Sequence, residues 1–190
     1  MNKVLFGIKN VHIAKLKEDE DGKITYDTPI AVPGATGFSP DPKGDSYVYY
    51  ADNKIYYRKT SNQGYEGDLV VATIPEEVLI EIFGRTKDKN GAIIENSDDK
   101  QSRFALMFEG DGDEKSRRFV YWDCTASRPT KEHKTNEETI EVEQETMPIV
   151  IAPRSTDNQV GAYLEPSTQN KAVYDKFFET VYEQEKAESI

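Results

Sequence analysis

GDLVVATIPEEVLIEIFG, residues 67–84, decides the fold class. Leu69 to Ala72 is a short apolar, β-branched run of the kind that fits a strand buried on both faces. Thr73 then opens a T-x-x-E pattern that closes at Glu76, which predicts a hydroxyl cap on the first free N–H groups of a helix. Pro75 stands where its fixed φ helps and its missing N–H costs nothing. Val78, Leu79, Ile82 and Phe83 recur on one helical face, and Gly84 is placed for a left-handed stop. A helix over about 75–83 is too short to hold in water alone. Those four side chains must therefore dock it on a sheet, and no comparable helix signal follows before the C-terminus. The chain reads as mainly β, with one flanking helix.

Bulk composition narrows the function. The 190 residues suit one domain, with 36% hydrophobic side chains to fill a single core and long polar connections around it. A net charge of −11 argues against a protein that grips nucleic acid, because phosphate binding needs a basic face. Eleven Tyr and eight Phe favour strands and interfaces. The lone Cys124 rules out an internal disulfide framework and suits a reducing compartment. No apolar run approaches the roughly 18 residues that span a bilayer, and no signal-peptide core follows Lys3, so synthesis in a cytoplasm without membrane insertion is expected.

Working outward, residues 7–16 and 24–32 alternate and flank a charged tip with Asp21-Gly22, a hairpin signal. Pro29 marks a bulge or an edge. Residues 34–66 form a long excursion punctuated by Pro40 and Pro42. Inside it, SYVYY (46–50) and KIYYRK (54–59) are joined through Ala51-Asp52-Asn53 as a small hairpin. That hairpin either folds onto its own domain or reaches a neighbouring subunit. Residues 86–101 read as a solvent loop with one short strand at 92–94. The clearest hairpin is RFALMFEGDGDEKSRRFVYWDC (103–124). Phe104, Leu106 and Phe108 share one face and Ala105 and Met107 the other. On the return, Phe119 and Tyr121 oppose Val120 and Trp122. With both faces apolar it is central to a sandwich or packed between subunits. Residues 125–138 read as a polar loop. Ile140 and Val142 alternate with Glu141 and Glu143 as a strand with one wet face, Pro148 suggests a bend, and Ile149 to Ile151 is buried. A last strand lies in 159–166. In the tail from 170 to 190, Val173, Phe177, Phe178, Val181 and Tyr182 follow helical spacing, although the aromatic content also suits a strand.

No chemical motif stands out. GDGDE (110–114) is either part of a calcium loop or an acidic turn, and it lacks the ligand series ending in a bidentate Glu. Cys124, His12 and His133 lie in no metal spacing, and the bland reading is a buried Cys with two surface His. No catalytic, cofactor or metal residue is assigned.

Taken in order, GIKNVHIAK (7–15), YYADN (49–53), NQGYEGDLVVATIPEEV (62–78), FALMFEGDGD (104–113), RRFVYWDCTASRP (117–129) and TIEVEQETMPIVIAPR (139–154) resemble the major tail proteins of long, flexible-tailed bacteriophages of Gram-positive hosts. The resemblance covers about residues 7 to 182. It implies an antiparallel β-sandwich or curled barrel of two sheets with one flanking α-helix. It implies a virion protein without a catalytic centre or cofactor, made in the host cytoplasm. It further implies that six copies form a ring and that rings stack into a tail tube that delivers DNA without binding it specifically. The partners implied are further copies of the chain, the tail-tip initiator, the tail terminator and the tape measure protein in the lumen. Residues 34–66 then match the loop that contacts the adjacent ring, which makes Tyr47, Tyr49, Tyr50, Asp52, Asn53, Tyr56 and Tyr57 the inter-ring candidates. Residues 165–190 become a C-terminal arm with Phe177, Phe178 and Tyr182. The other reading is a soluble β-sandwich that binds a glycan or protein ligand through exposed Tyr side chains and Trp122.

Overall fold

A computed structural model of the chain describes residues 7–131, 133 and 142–185. Among them the strands are β1 Gly7–Glu18, β2 Ile24–Tyr26, β3 Ile30–Ala31, β4 Ala35–Lys43, β5 Ser46–Ala51, β6 Lys54–Thr60 and β7 Gly64–Val71. Beyond the helix α1, Glu76–Glu81, follow β8 Thr86–Lys87, β9 Ile93–Ile94, β10 Phe104–Asp111, β11 Arg118–Ala126, β12 Thr130–Lys131, β13 Glu145–Ile151 and β14 Gly161–Leu164. A second helix, α2, spans Lys171–Asp175. The main antiparallel sheet has the order β2-β1-β10-β11-β13-β7-β4, with β3 on β1, β12 on β13 and β14 on β11. It curls until β4 lies beside β1 without pairing to it, so it wraps a core without closing into a barrel.

The core grows from β7 and α1. Leu69 and Val71 are fully buried, but Val70 is half-buried and Ala72 exposed. The strand expected to be buried on both faces thus has one core face and one outer face. It is flanked on both edges by β13 and β4, while its second face looks out of the sheet. Val78, Ile82 and Phe83 enter the main cluster with Leu69, Leu106 and Ile149, and Leu79 packs beside them. The helix stops at Gly84 (φ 73), whose N–H bonds Ile80 O while Arg85 N–H bonds Leu79 O. A Cβ at Gly84 would also lie 2.7 Å from Lys100 O.

Thr73 does not cap this helix. Its hydroxyl donates to Ala72 O at 2.7 Å, and Pro75 (φ −59, ψ 144) holds the cap position, so the helix starts too late for Thr73 to reach it. The buried Glu145 serves the approach instead, accepting Ile74 N–H at 2.7 Å.

The first hairpin turns at Gly22 (φ 76), and its returning strand is split by Pro29 into β2 and β3. Within 34–66, the prolines do not prevent a strand. β4 pairs with β7 along its length, and as an edge strand it has an unpaired side where a missing N–H costs no ladder bond. β5 and β6 make a separate two-stranded sheet, as do β8 and β9, which pair Thr86–Lys87 with Ile93–Ile94 where a single short strand was expected.

The expected polar loop after Cys124 is partly strand: β11 runs to Ala126 and β12 pairs with the start of β13. Pro148 makes no break in β13. Its carbonyl accepts Ser127 N–H at 2.9 Å, on the side where β11 hands over to β12, so its missing N–H falls in a gap between partners. Ile140 and Glu141 lie outside the described residues. Val142 is exposed and precedes the strand rather than belonging to it.

The β10–β11 hairpin is covered on both faces by its own chain. Phe104, Leu106 and Cys124 point into the main core, while Met107, Val120 and Trp122 form a second cluster with Phe177. The cover is the segment 166–185, a strap across the back of the sheet. Only α2 is helical in it. Asn170 spends its side chain on Ser167 N–H and Glu165 O rather than on a cap, and Phe177 and Phe178 are drawn to different targets on the sheet.

Candidate functional site

Among the described residues, three surfaces stand out once the core is filled. The first is the β5–β6 hairpin. Asp52 (φ 51) and Asn53 (φ 60) are both left-handed, the backbone of a type I′ turn, which suits the right-handed twist of the two strands. Tyr47 sits opposite Lys59 and Tyr49 opposite Tyr57, so these share one face. Tyr49 also meets Tyr56 edge-on at 6.5 Å. Tyr47, Tyr49, Tyr50, Tyr56 and Tyr57 are 51–77% exposed. The hairpin therefore holds its aromatics out in an ordered array. Contiguous apolar exposure of this kind marks an interaction surface.

The second is the outer face of β4, β7 and β13. The register sets Ser39, Asp68 and Pro148 in one row and Asp41, Glu66 and Val150 in the next. Short and acidic side chains dominate, and Lys43 is tied to Glu66 at 2.7 Å. Gly67 lets β4 approach closely, since a Cβ there would meet Ser39 O at 2.3 Å.

The third is the strap. Phe177 is 1% exposed, its ring stacks on Tyr182 at 6.0 Å, and Phe178 stacks on His12 at 4.8 Å. Arg118 lies over the Tyr174 ring at 3.8 Å and the Phe178 ring at 4.9 Å, and its guanidinium also donates to Tyr174 O. Trp122 Nε1–H donates to Tyr182 O at 2.7 Å. The buried Arg154 clasps the far end, bonding Glu183 at 2.8 Å and Asp157 at 2.5 Å over the Trp122 ring. So the structure gathers Phe177, Phe178 and Tyr182 on the chain's own sheet, away from the tyrosine hairpin. Arg118, Arg154 and Glu145 were not legible as organising residues. Only the Arg154/Asp157 spacing, three residues apart, hints at the clasp.

These surfaces offer little chemistry. Trp122 is 2% exposed and cannot present its ring to a glycan, which removes that residue from the binding-module reading. Burial pushes the Cys124 thiol well above its ordinary range, the wrong direction for a thiolate nucleophile. His12 is not an ordinary surface residue, being half-buried against Phe178, whereas the His133 side chain is 76% exposed. In the GDGDE turn each aspartate already has a cation: Asp111 meets Lys9 at 3.0 Å and Asp113 meets Arg117 at 2.6 Å. The Arg117 hydrogen bond holds the Asp113 carboxyl down at about 2. No group of three or more His, Cys, Asp or Glu side chains is arranged to hold a metal among the described residues. Nor is any helix among them long and apolar enough to cross a membrane.

The sequence matches the family described as phage tail tube protein over residues 1–185. No curated protein sequence matches it. Similar solved structures include the tube-terminating cap of the anti-feeding prophage, at 11% identity and TM-score 0.46 over 86% of this chain and 94% of that one. Another is the sheath/tube terminator of the extracellular contractile injection system PVC, at 7% identity and TM-score 0.46 over 86% and 99%. The sheath-tube complex of the same system follows at 9% identity and TM-score 0.42 over 83% and 89%. A curled antiparallel sheet, one packed helix, a projecting aromatic hairpin and a family match along almost the whole chain lead to one assignment: the chain belongs to the phage tail tube protein family and is a structural protein of the virion tail.

Proposed function

We propose that six copies of this chain close into a ring and that rings stack into the tube through which DNA leaves the capsid. The observation that carries this reading is the hairpin. Five tyrosines more than half exposed on a two-stranded arm have no cover among the described residues of their own chain. Tyrosine presents large contact area at a small cost in conformational entropy, which suits a repeated subunit contact. Ring contacts close, whereas ring-on-ring contacts do not and so grow a filament. The outer face of β4, β7 and β13 is the proposed channel wall. Asp41, Glu66 and Asp68 repel phosphate, and without a row of free cations among the described residues of this face DNA gains no binding to slow its passage. The tail-tip initiator, the terminator and a tape measure protein are the further partners. The protein works by assembly, with no catalytic step of its own.

The test is negative-stain electron microscopy of the purified protein at high concentration, alone and with tail tips. Hollow tubes support the reading. A chain lacking 46–58 should stay folded by circular dichroism and fail to stack. Normal tubes from that deletion would sink the role given to the hairpin.

A further inference from the structure

The tyrosine hairpin and a groove elsewhere on the same fold differ in charge and share apolar surface. Tyr47, Tyr49, Tyr50, Ile55, Tyr56 and Tyr57 make up more than half of the large apolar side chains left exposed among the described residues. The same arm is basic within an acidic chain. Lys54, Arg58 and Lys59 outnumber Asp52, and the three cations make no ion pair among the described residues. A groove of about 340 Å³ runs between β2 and the strap. Ile24, Tyr26 and Val181 give it apolar wall, Asp27, Glu179 and Glu183 give it negative charge, and no basic side chain among the described residues lines it. Asp27 is bonded to Lys17 and Glu183 to Arg154, whereas Glu179 is exposed and has no cation beside it among the described residues.

The two features lie at opposite ends of the strands. Following the register from β4 through β7, β13, β11 and β10, the hairpin leaves the sheet toward the end where β10 turns into β11. β1 begins at that end, with Gly7 beside Asp111, and β2 pairs with the last residues of β1, Leu16–Glu18, at the other end. An arm at one end and a complementary groove at the other cannot satisfy each other within one copy. Between copies they make a head-to-tail contact that repeats without closing.

We propose that the β5–β6 hairpin of one copy seats in the β2–strap groove of a second copy. Its tyrosines lie on Ile24 and Val181, and its cations face Glu179 and Asp27. The inference rests on the stacking reading above and names the surface that receives the arm. It also gives the strap a use beyond covering Met107, Val120 and Trp122, because the strap forms one wall of the groove.

A charge swap in the full chain tests it. Glu179→Lys and Lys59→Glu each change one exposed side chain and should leave folding intact. Each alone should raise the concentration needed for tube growth measurably, up to about fivefold, the upper range for one exposed ion pair. The double variant should return it close to wild type. Single variants that grow tubes at the wild-type concentration overturn the docking site and leave stacking untouched. Wild-type protein that grows no tube even from tail tips counts against the stacking reading itself. Docking is then read by mixing Tyr56→Cys and Thr180→Cys chains with a bismaleimide, against a silent background because Cys124 is buried. A dimeric adduct that Glu179→Lys weakens supports the site, and no adduct, or one that Glu179→Lys leaves unchanged, overturns it.

Discussion

Glu145 accepts Ile74 N–H at 2.7 Å and the Lys131 ammonium at 2.7 Å from a buried position. Removing that carboxylate strands a buried donor at the approach to α1. Glu145→Ala should therefore cost about 1–3 kcal/mol in urea unfolding. Thr73→Ala, which deletes only an exposed local hydrogen bond, should stay within about 0.5 kcal/mol. Equal losses would contradict this division. Phe177→Ala opens a cavity against Met107, Val120 and Trp122 and should cost about 3–5 kcal/mol, read as a fall in Tm with new dye-accessible apolar surface. At this scale the sequence was legible wherever a residue acts through its own neighbours. Gly84, the Asp52-Asn53 turn and the face shared by Val78 and Ile82 are local patterns. Glu145 meets Ile74 from 71 positions away, and no periodicity encodes that meeting.

Elements show the same division. The alternation in 103–124 announced two apolar faces, and both exist, yet nothing local said what covers the second. The cover comes from the strap, whose helical spacing is followed only through α2 before tertiary packing takes over. Prolines misled in the opposite sense. Pro40 and Pro42 read as loop punctuation because chain order does not reveal that β4 is an edge, and Pro148 read as a bend because the handover from β11 to β12 is invisible in sequence. The arm itself was legible as a hairpin, although 34–66 left open whether it lies on its own domain. Its exposure supports the outward reading.

For the whole molecule, charge and burial make separate predictions. Replacing Asp41, Glu66 and Asp68 by Lys would turn the proposed channel wall basic. Such tubes should retain added DNA at low salt and release it as salt rises, while wild-type tubes retain none. Equal retention by both would rule this face out as the wall. Stability should fall at high pH. Burial pushes the Tyr26 and Tyr121 hydroxyls up to about 12, from 10 in the unfolded chain. Below pH 10 both states hold these protons. Between 10 and 12 the unfolded chain gives them up first, so unfolding is favoured as pH rises. Tm measured from pH 9 to 11.5 should drop, and the Tyr26→Phe/Tyr121→Phe double variant should show a shallower drop from its own starting value.

The sealing of β10 and β11 on both faces has a consequence in time. Deuterium can reach those amides only after the strap lifts and the sheet opens, so they should be the last to exchange, at the rate of global unfolding. The hairpin of β5 and β6, with water on both faces, should exchange in the first moments. In an assembled tube, that fast clock is the one that should slow.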